Sequence, residues 1–353
     1  MNSRQKVNNI IARKTQGAAR GAAQSAAQSA AQGAYWTGHP NPRTVPLFSA
    51  EWGIEPETDA IYEYLNDDCR WAGAEGGYKH PDGLPMFNMS LGVTPKAGLA
   101  AGGCFEYAET VAEIESHPWP DAVHCDFTDV YARCEKFADK MVFTGMWCPF
   151  FHVLAGYFGM EKYFINMHEN PKVVEAATER VVDFYVAAND KFFAGLKGRA
   201  DIMFFGNDFG TQRDLIISTE HFRRFVLPGI RRIIETGKKY GLTVMMHSCG
   251  SIYRVIPDLI DAGIDMLHPI QAQAAGMKAS DLAQYKNDLI FLGGIDAQSF
   301  LVDATPSQIK DEVRRVRDIL GPGVIISPSH EEILPNVPAA NIKAMSEAAL
   351  ETL

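Results

Sequence analysis

Apolar residues in the second half of the chain fall into short blocks, each followed by a polar or glycine-containing turn and then by a longer stretch with helical spacing. The blocks are residues 141–145, 202–206, 243–247, 266–268, 289–293 and 324–327. Apolar runs of this length, alternating with amphipathic helices, predict strands buried on both faces of a parallel sheet. Residues 218–240 read as one such helix, opened by Ser218-Thr219-Glu220 and stopped at Gly241, and residues 251–262 as another, stopped at Gly263. The repetition runs from about 140 to 330 without dividing into a nucleotide half and a substrate half. This predicts an α/β fold of the closed (β/α)8 TIM-barrel type rather than an open Rossmann sheet. Earlier strands are expected near 34–37 and 69–71.

The N-terminus follows a different pattern. Val7, Ile10 and Ile11 stand at i, i+3 and i+4 and predict a small amphipathic helix that packs on the main body. Residues 17–33 (GAARGAAQSAAQSAAQG) contain no large apolar side chain, and are expected to form a fraying helix or a flexible tether. The organisation expected is an N-terminal extension over 1–34 and a barrel over 35–353.

Composition narrows the class of function. The 353 residues are 46% hydrophobic and 22% charged, which suits a globular protein with a large core. Lys plus Arg number 33 against 43 Asp plus Glu, a formal net charge of -10, and no basic run occurs, so nucleic acid is not an expected partner. No stretch approaches the roughly 20 apolar residues of a membrane helix, and no secretory signal is visible, so a cytoplasmic protein without a membrane partner is expected. The 6 cysteines are scattered and read as reduced thiols. No GxGxxG or GxxxxGK[ST] follows a strand, so nucleotide binding has no support.

The chemistry gathers where a barrel puts it. Residues just after parallel strands lie on the C-terminal rim. The rim segments here are Met146-Trp147-Cys148-Pro149, Asn207-Asp208-Phe209-Gly210, His247-Ser248-Cys249-Gly250, His268-Pro269-Ile270-Gln271, Gly294-Ile295-Asp296 and Ser327-Pro328-Ser329-His330-Glu331. His247 and Cys249, two apart on an extended strand, share a face and can converge on one ion. His330, further round the rim, supplies a third donor, so a zinc site of His247, Cys249 and His330 is expected, with Glu331 the nearest substitute. Asp208 and Asp296 are open to three uses, as general base, as partner of a metal-bound His or as anchor for a cationic group, and each can instead cap the following turn or helix. His268 reads as a rim acid/base or as a satisfied core histidine. His39, Cys148, Asn207 and Gln271 are candidates for contact with a substrate. Phe150-Phe151 and Phe204-Phe205 read as core.

These motifs resemble the uroporphyrinogen decarboxylase superfamily from about Val45 to the C-terminus. The resemblance rests on Gly206-Asn207-Asp208-Phe209-Gly210-Thr211-Gln212, Ser218-Thr219-Glu220-His221-Phe222, Val226-Leu227-Pro228, His247-Ser248-Cys249-Gly250-Ser251, Gly293-Gly294-Ile295-Asp296, Ser329-His330, Pro335-Asn336-Val337-Pro338 and Asn341. It implies a (β/α)8 barrel and one of two activities. The tetrapyrrole decarboxylases carry an N-terminal arginine pair for substrate carboxylates, whereas the corresponding Tyr35-Trp36-Thr37-Gly38-His39-Pro40-Asn41-Pro42 has none. The zinc-dependent methyltransferases carry His-x-Cys…Cys, and His247-x-Cys249 matches its first two positions, with His330 about where the third cysteine falls.

The resemblance therefore implies methyl transfer between a small substrate (a thiol, methoxy or methylamine compound) and a corrinoid, with zinc acting as a Lewis acid. Asp208 and His268 would handle protons and Asp296 would support a ligand or orient the substrate. The corrinoid is expected on a separate partner protein, because no Asp-x-His-x-x-Gly signature occurs here. A metal-free decarboxylase and a non-catalytic tetrapyrrole or corrinoid binder are the alternatives. The oligomeric state is open, a homodimer being one option.

Overall fold

The computed structural model describes residues 2–19, 33–92 and 102–352, with side chains described from 2 to 12 in the first of these segments. Residues 20–32 of the Ala/Gln/Ser stretch, expected to fray or to act as a tether, lie outside the described residues.

Eight parallel strands wrap into a nearly closed barrel surrounded by helices. They are β1 (Ala34–Tyr35), β2 (Cys69–Gly73), β3 (Met141–Gly145), β4 (Ile202–Gly206), β5 (Thr243–His247), β6 (Met266–Ile270), β7 (Ile290–Ile295) and β8 (Val324–Pro328). Each pairs with its sequence neighbour from β2 to β8, and β8 pairs with β1. The last six coincide within a few residues with the apolar blocks, because a strand covered on both faces must be apolar at every position.

Alternate side chains divide into two cores. Trp36, Cys69, Met141, Phe143, Ile202, Phe204, Met245, Met266, Ile290, Leu292 and Ile325 fill the barrel interior, while the intervening residues join the larger layer under the helices. Phe150, Phe151 and Phe205 belong to that outer layer and Phe204 to the inner one, so all four are core residues.

The predicted N-terminal helix exists as α1 (Ser3–Ala19), and it does more than lie on the surface. Val7 and Ile10 are buried among the interior residues at the N-terminal end of the barrel. The polar residues of α1 bind the strand starts: Lys6 Nζ pairs with Asp68 at 2.8 Å and Arg4 Nε with Asp201 at 2.6 Å. The helix therefore plugs the bottom of the barrel.

Residues 218–240 form an interrupted helix rather than a continuous one. Ser218 caps it as expected, its hydroxyl accepting from His221 N–H at 3.1 Å. A π-helical turn, Phe222–Val226, then separates Thr219–His221 from Leu227–Lys239. Pro228 lacks the N–H that an uninterrupted α-helix would need there, and the wider turn absorbs the defect. Gly241 and Gly263 both follow their helices with left-handed φ, 72° and 100°.

The seam between β1 and β2 lacks a regular ladder, and two buried carboxylates close it. Asp68 N–H donates to the Tyr35 carbonyl at 3.0 Å, and the Asp68 carboxylate accepts from Tyr35 N–H at 3.1 Å. Asp67 accepts from Thr37 N–H at 2.6 Å and from Cys69 N–H at 2.9 Å. Burial pushes the Asp67 carboxyl up to about 6, against the opposing pull of Arg70 and of these N–H donors. Replacing Asp67 by Ala strands two buried N–H groups and is expected to cost about 3 kcal/mol, read as a lower urea midpoint with unchanged slope. A loss under about 1 kcal/mol would show that water or a neighbouring group takes over the seam.

Candidate metal centre

The mouth of the barrel is assembled by register. Gly206 on β4 is the register partner of His247 on β5, and His247 is in turn the partner of His268 on β6. Parallel partners in register project to the same face, so both imidazoles point inward. Glycine at 206 makes room: a Cβ there would come within 2.6 Å of the Trp147 ring and 2.8 Å of His247 Cβ. Trp147 uses that space to pack on His247, ring centroids 5.0 Å apart. After β5 the chain turns at Gly250, whose φ of 82° and close approach to Gly210 leave no space for a side chain. That crossing holds the loop after β4 against the loop after β5, and Asp208 beside Cys249.

Two groups of donors result, and Cys249 belongs to both. In the first, His247 Nε2 lies 3.4 Å from Cys249 Sγ and 3.2 Å from Asp208 Oδ1. In the second, Cys249, His330 and Glu331 offer ligand atoms within 4.8 Å of one another. His330 Nδ1 accepts from Glu332 N–H at 3.0 Å, which leaves Nε2 free to ligate. His247 and His330 do not share a group at this spacing, and Cys249 is the corner between them. Glu331 Oε2 is buried with no hydrogen-bond partner among the described residues and lies 3.8 Å from His247 Nδ1. The two groups, joined at Cys249, together offer a thiol, two imidazoles and two carboxylates, one of them with the orphaned oxygen, and these donor types suit zinc.

The protons in this cluster follow from its geometry. Burial alone would drive His247 towards neutrality, yet its hydrogen bonds to Asp208 and Cys249 carry it up to about 10. Burial also disfavours the Asp208 carboxylate, but the His247 contact and the Cys249 N–H, 2.8 Å away, outweigh it and hold the carboxyl below its usual range. The Cys249 thiol is pushed up by burial, with partial relief from His247. Without a cation the cluster holds an imidazolium beside a carboxylate and a thiol.

The remaining sequence-predicted residues divide into rim and framework. His39 is at the mouth, its ring tilted 33° against Trp71 with centroids 4.8 Å apart, and it is joined to the Tyr62 hydroxyl at 3.2 Å. It opens a two-residue strand, His39–Pro40, paired with Glu332–Ile333, which ties the exit of β1 to the exit of β8. Gln271 accepts from Gly250 N–H and so steadies the turn after Cys249. His268 is fully buried behind His247, their Nδ1 atoms 2.9 Å apart, and burial with the neighbouring histidines pushes it far down.

Cys148, Asn207 and Asp296 are not brought to the donor cluster. Cys148 is buried in the outer core, where its sulfur meets the Met146 carbonyl at 3.1 Å and the Asn189 amide at 3.3 Å. Asn207 accepts from Phe151 N–H at 2.9 Å and donates to the Cys148 carbonyl at 2.8 Å, so both ends of its amide bind backbone. Asp296 accepts from the backbone N–H groups of Gln298, Ser299 and Phe300 and from the Ser299 hydroxyl, capping the next helix. In each case neighbouring backbone or side-chain groups already occupy the polar atoms. Trp71 and Trp147, whose only signal in the sequence is that they end or follow predicted strands, form a wall beside the site with centroids 5.1 Å apart.

The class is an enzyme-type TIM barrel with its polar cluster at the C-terminal rim. A model of the uroporphyrinogen decarboxylase (URO-D) family matches residues 120–352, and the chain belongs to that family. Among curated relatives, it is 26% identical over 189 residues to the methylated-thiol–coenzyme M methyltransferase of Methanosarcina mazei, covering 52% of this chain and 46% of that protein. It is 23% identical over 216 residues to the methylcobamide:CoM methyltransferase MtbA of Methanosarcina acetivorans, covering 61% of this chain and 60% of that one. The chain thus spans about half to three-fifths of these relatives, both named as methyltransferases. The solved methyltransferase from Methanosarcina mazei superposes with a TM-score of 0.64 at 12% identity, over 99% of this chain and 98% of that one, and shares the fold. Among the described residues no helix is long and apolar enough to cross a membrane.

Thiol accessibility checks the placement of the cysteines. In metal-free native protein an alkylating reagent is expected to modify half-buried Cys249 but not buried Cys148. Exposing Cys148 requires opening worth several kcal/mol, so its labelling should be at least about a thousandfold slower. Equal rates would place Cys148 at the mouth after all.

Proposed function

We propose that the protein is a zinc-dependent methyltransferase that moves a methyl group between a small heteroatom-bearing substrate and a corrinoid carried by a separate protein. The observation that carries this reading is the position of Cys249, whose sulfur is common to a group with His247 and Asp208 and a group with His330 and Glu331. His247, Cys249 and His330 would hold the metal, with Glu331 or Asp208 at hand as a further oxygen donor. When bound, zinc would supply Lewis acidity, favouring the thiolate of a thiol substrate or polarising the heteroatom of a methylated one.

The chain's own residues supply the rest. Asp208, half exposed beside the cluster and held ionised by His247 and the Cys249 N–H, is placed to orient a substrate thiol or amine through a hydrogen bond. Trp71 and Trp147 provide apolar rings beside the donors and limit water at the reacting centre. Gln271, by holding Gly250, keeps the Cys249 turn in place. The relatives named above act in reactions of coenzyme M. By the resemblance, His330 falls about where the family motif has its third thiolate, which would make the donor set less electron-rich.

Elemental analysis of the purified protein tests the reading first. About one zinc per chain is expected, the stoichiometry of a single closed site. Cys249→Ala and His247→Ala should each weaken zinc by more than the 10–100-fold typical of losing an outer-shell partner, and abolish methyl transfer from methylcobalamin to a thiol acceptor panel. Native protein with no zinc, or full transfer activity after chelation, would overturn it.

A further inference from the structure

His247 and His268 face each other through Nδ1 and Nδ1, 2.9 Å apart. At that distance one ring donates a proton and the other accepts it. The opposite nitrogen of His247, Nε2, faces Cys249 Sγ and Asp208 Oδ1 and is the one positioned to ligate. Ligation needs the lone pair on Nε2, so the remaining proton of His247 lies on Nδ1. His268 must then accept at its own Nδ1 and carry its proton on Nε2.

The surroundings of His268 leave that proton unpaired, at a desolvation cost that the bond to His247 has to offset. Its Nε2 is buried without a hydrogen-bond partner among the described residues. The ring lies against Trp36 and Phe204, centroids 5.2 and 5.4 Å away, inside the aromatic upper part of the barrel. An N–H sealed among rings leads no proton to the mouth, so a rim acid/base role does not follow from this geometry. The other group near His247 Nδ1, Glu331 Oε2, is 3.8 Å away, beyond hydrogen-bond reach.

We propose that His268 is a positioning residue: by accepting the Nδ1 proton of His247, it fixes the tautomer and ring orientation in which His247 Nε2 presents its lone pair to the Cys249 and Asp208 side of the mouth. Metal-bound histidines ordinarily give their second N–H to a carboxylate, a carbonyl or water. In this protein a second imidazole, set in place by strand register, does that task. The inference rests on the metal reading under Proposed function.

The test uses the full chain with zinc and a competing chromophoric chelator. His268→Leu removes the acceptor and is expected to weaken zinc 10–100-fold. His268→Asn places a carbonyl oxygen where Nδ1 stood and should recover most of that loss, which a purely packing role would not predict. Nitrogen-15 spectra of histidine-labelled, zinc-loaded wild type provide a readout independent of either variant: His247 should be protonated at Nδ1 and His268 at Nε2. Wild-type affinity in folded His268→Leu, or a His268 ring protonated at Nδ1, would overturn the assignment. Failure of the wild type to bind zinc would instead remove the metal reading itself, a distinguishable result.

Discussion

Closure of the barrel is the constraint on which the site depends. His39, Asp208, His247 and Glu331 come from the exits of β1, β4, β5 and β8, and they can share a mouth only if the sheet returns on itself. The return is weakest between β1 and β2, where β1 is two residues long and a regular ladder is lacking. Asp67 and Asp68 replace missing ladder bonds with carboxylate acceptors, and Lys6 from α1 neutralises the second of them. Buried carboxylates are costly unless bonded and paired. The amphipathic helix at the N-terminus is thus part of the closure: its apolar side fills the barrel floor and its lysine balances the seam.

At the opposite end the same closure gathers ionisable groups with few fixed cations among them. His247 Nε2, the nitrogen that on the proposed reading would ligate a metal, faces both Asp208 and Cys249. On that reading, a metal held there would take the place of protons on imidazole and thiol, which would make its affinity depend on pH. Trp71, Trp147 and Phe204 raise the stakes by keeping the cluster's surroundings apolar, with centroid separations of 5.1 to 5.3 Å among the three rings.

Much of the fold was legible because its strongest signal is the simplest one. Six apolar blocks of strand length can be buried only in a two-sided parallel sheet, and the observed β3 to β8 match them. The first two strands were harder to see because β1 is short and β2 mixes Arg70 and Trp71 into its run. The rim was legible as a set of segments but not as a set of roles. Asp208 and Asp296 both follow barrel strands, yet only Asp208 turns towards His247, while Asp296 bends back onto the N–H groups of its own helix. Sequence spacing carries no information on which backbone donors will compete for a carboxylate. The same holds for Asn207 and Cys148, which follow barrel strands but whose polar atoms bond neighbouring backbone and side-chain groups. Glu331 could be read only as a substitute ligand, because its orphaned oxygen appears once the burial of the β8 exit is known.

His330 and Glu331 lie close to the seam. They precede Glu332–Ile333, the short strand that pairs with His39–Pro40 just above the junction of β8 and β1. The donors contributed by that segment therefore ride on the part of the barrel whose closure relies most on side chains, whereas His247 and Cys249 extend from a fully paired strand. On the proposed reading, one corner of the metal site is rigid and the other is held by the closure around β1. A ligand that binds both corners favours the closed barrel by its differential affinity for that state. The seam carboxylates at the floor and the donors at the mouth are then linked through the same strand, β1, despite lying at opposite ends of the molecule.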